Sequence, residues 1–494
     1  MKKLPSRDKI SFLRKKYPKF IYQGYSYKIS KCHKAPPRRN LEIFFDFLVE
    51  PDIKFQPKII IENINQAQIK RVGENVLNNL IFHLGLVESI SYWKAACSPE
   101  IIIKAGFLDK RQIKWWKNLI LNGMGEFFYQ NKIDFTHTNF INIKNPKSRR
   151  YSPMSSALRK KTDLYTKKFK SRTLIPIGGG KDSAVTLEIF KKSNENINCL
   201  GLNPISAAKK IIKIGRCKNP IIIRRKIDKK LLELNRKGFL NGHTPFTAYL
   251  SFLNVLCAVI FDYKFVVFSN ERSSNKGNII YLGKKINHQY SKSFHFEKLF
   301  RDYARKYLAQ DIKYFSFLRP LYEIQIVEIF SNFPKYFSVF LSCNEAYKTY
   351  SGTKRTAGKW CGNCPKCLFV YTALYPFLKE KDLIKIFSED LFEKKNLLPL
   401  MQELIGQKRF KPFECVGTEK ESLVAFYLSW KKGVNKKRKL PFLLEYFERQ
   451  ILPRYKDLEK DAIKILNSWN RHNNVPKKFE RILKKFTYTC HCKK

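Results

Sequence analysis

Leu174-Ile-Pro-Ile-Gly-Gly-Gly-Lys-Asp-Ser183, running into Ala184-Val-Thr-Leu-Glu-Ile-Phe190, decides the fold of this chain. A short apolar run ends in three glycines, and the residues after Ser183 take helical apolar spacing. The pattern reads as strand, tight loop and helix N-terminus. Such a turn offers several backbone N–H groups and the positive end of a helix dipole to an anion. Three glycines allow the φ values and close backbone approach that a phosphate cradle needs. A Walker A loop would carry a glycine five residues before its Gly-Lys-Ser/Thr end. Here Ile175 stands in that place, and Asp182 follows Lys181. The reading is a nucleotide site of another kind, with Gly178, Gly179, Gly180, Lys181, Asp182 and Ser183 as its loop.

Composition bounds what else the chain can be. Its 494 residues suffice for two or three domains, and 44% apolar with 14% aromatic residues can fill proper cores. The balance of 96 basic against 41 acidic residues gives a net charge of +55. Taken alone, that charge suggests nucleic acid. The surplus is spread along the whole chain, however, together with abundant Ile, Phe, Asn and Tyr, the residues an A/T-rich coding sequence over-supplies. Specific nucleic-acid binding is therefore not the expected role, although a basic surface would still attract a polyanionic small molecule. The N-terminus lacks the apolar core of a signal peptide. The longest apolar stretch, Ala248 to Phe261, is too short to span a bilayer. Twelve cysteines without a secretion signal point to a reducing cytoplasm, with free or metal-bound thiols.

Along the chain, residues 1–145 mix β-type runs such as Lys58-Ile-Ile-Ile61 with helical patterns at Leu77 to Lys94 and Gln112 to Phe128, an α+β domain. Residues 146–170, rich in Lys, Arg, Ser and Pro, read as a basic linker. From 171 to 375, candidate strands Leu174–Ile177, Cys199–Leu202, Ile221–Ile223, Phe265–Phe268 and Tyr314–Leu318 alternate with helices at Ala184–Lys192, Pro245–Phe261 and Tyr322–Phe333. That alternation predicts an α/β fold, a doubly wound parallel sheet with ligands at the strand C-terminal ends. Residues 376–494 read as a helical, basic C-terminal region.

Cys361-Gly-Asn-Cys364-Pro-Lys-Cys367 sets three thiols at two-residue spacings, with Cys343 a loop upstream. Four thiolates converging on one ion is the tetrahedral Zn²⁺ pattern; unmetallated thiols and redox chemistry are the alternatives. Cys490-His491-Cys492 lies so close to the end that it reads as incidental. Three polar segments suit the far side of a nucleotide site: Ser269-Asn-Glu-Arg-Ser273, Asn287-His-Gln-Tyr-Ser-Lys292 and Asn241-Gly-His-Thr244. Arg319 closes the last strand, where it could hold a phosphate with two hydrogen bonds or simply lie in solvent. Two of the eight histidines, His243 and His288, sit in these polar, turn-like segments, where a structural and a functional role are the alternatives. Asn270, Arg272, Asn287 and Arg319 are the substrate-binding candidates.

Gly178-Gly-Gly-Lys-Asp-Ser183 resembles the pyrophosphate loop of the ATP pyrophosphatases (adenine nucleotide α-hydrolase-like), Ser-Gly-Gly-x-Asp-Ser, with Gly178 in place of the first serine. More specifically, six segments together are similar to the UDP-N-acetylmuramoyl-L-alanyl-L-glutamate epimerases (MurL). They are Gly178–Ser183, Ser269–Ser273, Asn287–Ser293, Ser342-Cys-Asn344, Trp360-Cys-Gly-Asn-Cys-Pro-Lys-Cys367 and Lys411-Pro-Phe-Glu-Cys-Val-Gly417. Gly85 to Lys94 and Leu121-Asn-Gly-Met-Gly-Glu-Phe127 also look alike, so the likeness runs from about residue 40 to 430. The basic tail beyond it has no counterpart in the likeness.

That resemblance implies inversion of the terminal L-glutamate of a UDP-muramoyl dipeptide to D-glutamate for peptidoglycan, consuming ATP with Mg²⁺ and releasing AMP and diphosphate. It implies ATP held by the loop, Mg²⁺ at Asp182 and an acyl-adenylate intermediate. It also implies a base and an acid on opposite faces of the inverted centre. His243, His288, Glu271, Tyr290 and Lys292 are the candidates for them, the two histidines preferred for their ordinary titration range. The alternative is an ATP pyrophosphatase that modifies tRNA or a deazaguanine precursor. 7-Cyano-7-deazaguanine synthases share both the loop and the cysteine arrangement, but not the remaining segments.

Overall fold

The computed structural model describes residues 6–31, 39–146, 163–347, 358–408, 411–437 and 439–491. The expected linker at 146–170 falls largely outside them, as do the side chains of Cys490, His491 and Cys492. The chain forms two compact units, each discontinuous in sequence. One comprises Met1–Leu174, Ile221–Val266 and Ile280–Tyr314; the other comprises Ile175–Pro220, Val267–Ile279 and Phe315–Lys494.

The strands begin with β1 (Lys19–Lys31), β2 (Arg39–Val49), β3 (Ile53–Phe55), β4 (Lys58–Ile64), β5 (Glu100–Ile103) and β6 (Asn142–Lys144). They continue with β7 (Thr173–Pro176), β8 (Ile197–Leu202), β9 (Ile221–Lys226), β10 (Phe265–Phe268), β11 (Ile279–Tyr281), β12 (Lys284–Ile286) and β13 (Lys313–Ser316). With its many helices between and after the strands, the protein is of the α/β class.

In the first unit the strand order is β9-β4-β2-β1-β5-β6, with β3 paired to β2. β1 and β2 form a long antiparallel pair, from Phe20↔Val49 to Lys31↔Arg39, with a bulge between Tyr22 and Gly24. Along β2, buried Leu41, Ile43, Phe45, Phe47 and Val49 alternate with partly exposed residues. One face is therefore covered, at about 1.5–3 kcal/mol for each large apolar side chain buried. The helix Glu74–Trp93 packs on β1 and β2 with one side and on the helix Phe246–Phe261 with the other. That double burial explains why fifteen of its twenty residues are buried. Gly85 is where it meets the sheet: a Cβ there would stand 1.9 Å from the Tyr22 hydroxyl.

The second unit contains all of β8 and the C-terminal residues of β7, β10 and β13, in the order β13-β10-β7-β8. β10 runs parallel to β7, and Phe317 N–H donates to Phe268 O at 2.8 Å in the same sense. The strands expected at Leu174–Ile177, Cys199–Leu202 and Phe265–Phe268 are present, as β7, β8 and β10. The helix expected from Ala184 begins three residues earlier, at Lys181, because extended Gly180 serves as its N-cap. Phe190 of that helix packs on Phe317 and on Phe479, so the helix Lys477–His491 completes this core. Among the described residues every element after β13 is helical.

Cys199 and Cys217 are disulfide-bonded, against the expectation of reduced thiols, where the chain leaves the helix Ser206–Ile214. Among the described residues no helix is long and apolar enough to cross a membrane.

Candidate functional site

The glycine-rich loop Gly178–Ser183, expected from the sequence to be a phosphate loop, lies between β7 and the helix Lys181–Lys192 in the second unit. Gly179 takes φ +101°, a conformation that disfavours any side chain, and its carbonyl accepts Leu341 N–H at 2.8 Å. Ser183 Oγ closes the turn on Gly180 O at 3.0 Å. Lys181 is buried and turns inward, its Nζ donating to Asp182 Oδ1 at 2.5 Å and to Glu323 Oε2. Glu323 opens the helix that follows β13, and its other oxygen faces Lys366 Nζ at 3.6 Å. Burial disfavours the Lys181 ammonium, yet Asp182 and Glu323 more than compensate and raise its pKa above the usual lysine range. For Asp182, burial wins over Lys181 and holds its pKa above the usual carboxylate range.

The loops after β7, β10 and β13 all feed this cluster. One oxygen each from Asp182, Glu271 and Glu323 lie within 4.8 Å of one another. Glu421 stands behind them: it accepts Glu323 N–H at 2.7 Å and Ser273 Oγ–H at 2.7 Å. Around these four carboxylates are the buried ammonium groups of Lys181, Lys366 and Lys411. An excess of carboxylate oxygen is the donor set that suits a hard divalent cation such as Mg²⁺.

Arg319 is fully buried. It donates to Glu271 O at 2.6 Å, Ser274 Oγ at 2.8 Å and Ser316 Oγ at 3.3 Å, so it holds the loop after β10 in shape. Asn270 Nδ2 donates to Ser316 Oγ at 3.0 Å, and the Arg272 guanidinium lies 4.2 Å over the Tyr322 ring.

Cys343, Cys361, Cys364 and Cys367 converge as their spacing suggests and could hold a metal such as zinc. Sulfur separations of 4.0, 3.6 and 3.5 Å match the edge of a tetrahedron with about 2.3 Å bonds, roughly 3.8 Å. Gly362 turns the chain at φ +65°, and Cys364 caps the helix Pro365–Leu374. Lys366, in the first turn of that helix, donates to Cys415 O and faces Glu323, so the cysteine turn also aims a cation at the phosphate-loop cluster.

The first unit carries a second cluster, made of Glu126, His243 and His288. Glu126 belongs to the short helix Gly125–Gln130, which Met124 separates from the helix Lys110–Gly123. Small residues let three segments meet there. A Cβ on Gly123 would lie 2.8 Å from Pro245, and one on Gly125 would lie 3.1 Å from Ile286. Glu126 Oε2 accepts from His288 Nδ1 and lies 3.6 Å from His243 Nδ1, while Gln130 Nε2 donates to Oε1 at 2.7 Å. The imidazole centroids are 4.5 Å apart. Lys94 Nζ holds the His243 loop through Asn241 Oδ1 at 2.9 Å and Gly242 O at 2.8 Å. Burial drives the His243 pKa well below the usual imidazole value, with further lowering from His288, Lys94 and Lys292.

Comparison with known proteins gives the family. Residues 14–317 match the family model described as the MurL N-terminal domain, and residues 339–453 match the MurL C-terminal domain. The chain belongs to the MurL family. A MurL relative from Xanthomonas oryzae pv. oryzae, named UDP-N-acetyl-alpha-D-muramoyl-L-alanyl-L-glutamate epimerase, is 32% identical over 416 residues, 82% of this chain and 85% of that protein. Relatives of the same name from a Micromonospora species and from Salinispora tropica are each 33% identical over 71% of this chain, and over 75% and 73% of their own lengths. No solved structure matches the chain. The MurL N-terminal match contains the phosphate loop and the Glu126 cluster; the C-terminal match contains the cysteine cluster and Glu421.

The acid–base candidates of the sequence divide between the two clusters. His243 and His288 meet at Glu126, and Lys292 acts electrostatically on His243. Glu271 belongs to the phosphate-loop cluster. Tyr290 is buried, accepts Asn118 Nδ2 at 2.9 Å, and has its pKa raised to about 12 by burial. Asn287 Oδ1 accepts Gln289 N–H at 2.8 Å within its own loop. Sequence reasoning missed Glu126, Glu323, Lys366 and Glu421. Glu126 stood inside a segment already alike to MurL, and an acidic residue in Gly-Met-Gly-Glu was the available signal.

Proposed function

We propose that this chain inverts the terminal L-glutamate of UDP-N-acetylmuramoyl-L-Ala-L-Glu to D-glutamate, in the cytoplasm, for peptidoglycan synthesis. The reaction would consume ATP and release AMP and diphosphate. The relatives' names supply the substrate. The observation that carries the mechanism is the loop Gly178–Ser183 at a helix N-terminus, with Lys181 and Asp182 turned into a buried carboxylate cluster.

The chemistry explains why a phosphate site and a histidine pair belong to one enzyme. A proton beside a carboxylate resists removal, because the carbanion would add to an existing negative charge. Joining that carboxylate to AMP removes the charge and lets the carbonyl oxygen accept the new one. Gly178, Gly179, Gly180 and Ser183 offer N–H groups to the diphosphate that leaves, in the manner of an ATP pyrophosphatase. Mg²⁺ held by Asp182, Glu271 and Glu323 would offset phosphate charge. His243 and His288 move the α-proton. The cysteine cluster holds structural Zn²⁺, since four thiolates leave no open position for substrate.

Incubating the protein with ATP, Mg²⁺ and the UDP-muramoyl dipeptide, and then resolving the glutamate enantiomers, tests the reading. D-glutamate with stoichiometric AMP is expected. Release of ADP and phosphate, or no inversion, overturns it.

A further inference from the structure

The sequence leaves His243 and His288 equivalent; the structure does not. Glu126 Oε2 is hydrogen-bonded to His288 Nδ1, whereas His243 Nδ1 stands off at 3.6 Å, beyond a hydrogen bond. A second oxygen, Oε1, is taken up by Gln130 at 2.7 Å, which fixes the plane of the carboxylate. Both imidazoles turn Nδ1 toward one anion, so Nε2 of each is the ring nitrogen directed away from Glu126. Two imidazolium rings with centroids 4.5 Å apart repel each other, and one carboxylate compensates only one of them. Lys94 and Lys292 add positive charge on the side of His243.

We propose that Glu126 is a positioning residue that divides the labour of the pair, holding His288 as the imidazolium and leaving His243 as the neutral imidazole. This assignment rests on the proposed epimerisation only for its catalytic meaning. On the L-substrate, His243 Nε2 takes the α-proton and the C–H electron pair passes into the activated carbonyl. His288 Nε2–H then returns a proton to the carbon from the other face. His243 ends as imidazolium and His288 as neutral imidazole, and exchange with solvent resets both. Glu126, Lys94, Lys292 and the two rings themselves all contribute to the balance.

The test has two readouts. Nitrogen-15 NMR titration of the histidine-labelled full chain needs no turnover, and with eight histidines in the chain the signals can be assigned by substitution. In the wild type His288 is expected to hold both ring protons at pH values where His243 is already neutral. In Glu126→Gln that separation collapses, and Glu126→Asp restores part of it. In turnover in D₂O, His288→Gln is expected to wash deuterium into L-glutamate without forming D-glutamate, while His243→Gln forms neither. Inversion by Glu126→Gln should fall about 10²–10⁴-fold, with the alkaline limb of its pH–rate profile moved to lower pH. The proposal is overturned if the two rings titrate together in the wild type, or if Glu126→Gln leaves both titrations unmoved. Absence of turnover by the wild type would reject the epimerase reading and leave the NMR result to decide this one.

Discussion

Lys181, the first residue of the phosphate-loop helix, gives its ammonium to Glu323, 142 positions further along the chain, with both side chains buried. The pair fixes the direction of the lysine: it points into the carboxylate cluster. Lys181→Met would leave Glu323 and Asp182 facing each other with less compensation. Removal of one partner from a buried ion pair costs about 3–5 kcal/mol. A fall in unfolding free energy of that order, read from denaturant titration, is expected, together with loss of AMP formation; unchanged stability would argue that the pair is dispensable.

Asp182→Ala removes the loop's own candidate ligand for Mg²⁺. The rate of diphosphate release from ATP should drop about a hundredfold, roughly 3 kcal/mol of transition-state stabilisation. Raising Mg²⁺ should recover part of the loss if the defect is weakened metal binding.

For the cysteine cluster the expected result is one Zn²⁺ per chain, measured by elemental analysis of freshly prepared protein. Cys364→Ala should lower both zinc content and thermal stability. Because Lys366 sits in the same helical turn, AMP formation should weaken with it. Full activity in zinc-free protein would contradict this coupling.

Inversion through a carbanion exchanges the α-hydrogen with solvent. D-glutamate formed in D₂O should therefore carry deuterium at Cα, read by mass spectrometry. Product without deuterium would count against a carbanion in contact with solvent-derived protons.

A pH effect on stability is expected from His83. It is fully buried, with Nδ1 bonded to Asn79 O at 2.8 Å and Nε2 at 3.3 Å from Gln112 Nε2. Burial lowers its pKa to about 4 from 6.5. The unfolded chain therefore binds the extra proton first. Stability from the neutral ring is complete above about pH 6.5 and falls as pH drops toward 4, by about 3 kcal/mol in all. Urea titrations at pH 7 and pH 4.5 check it: the difference should shrink in His83→Gln.

The phosphate loop was legible because its signals are local: an apolar run, three glycines and a helix start within seventeen residues. Phe265–Phe268 was read to the residue, since a short β-branched and aromatic run has few other uses. The cysteine cluster was legible from spacing alone. Glu126, Glu323 and Glu421 were not, because each becomes functional only through partners 98 to 162 positions away. The β1–β2 pair was also missed. β1 mixes lysines, tyrosines and serines with its apolar residues, and β2 sets Phe44 and Leu48 between its buried positions, which blurs the alternation that marks a half-buried strand.

Glu421 binds the protein's chemistry to a stretch that looks dispensable by composition. In the capping box at the start of the helix Glu419–Asn435 its side chain takes Thr418 N–H, and the same carboxylate clamps Ser273 and the backbone of Glu323. One side chain therefore starts a helix and ties down two loops of the phosphate site. A fragment ending before Thr418 would keep every residue of the nucleotide loop and lose the strut behind it. Such a fragment is expected to lose the shape of the loops after β10 and β13, because the carboxylate that accepts Ser273 Oγ–H and Glu323 N–H would be gone.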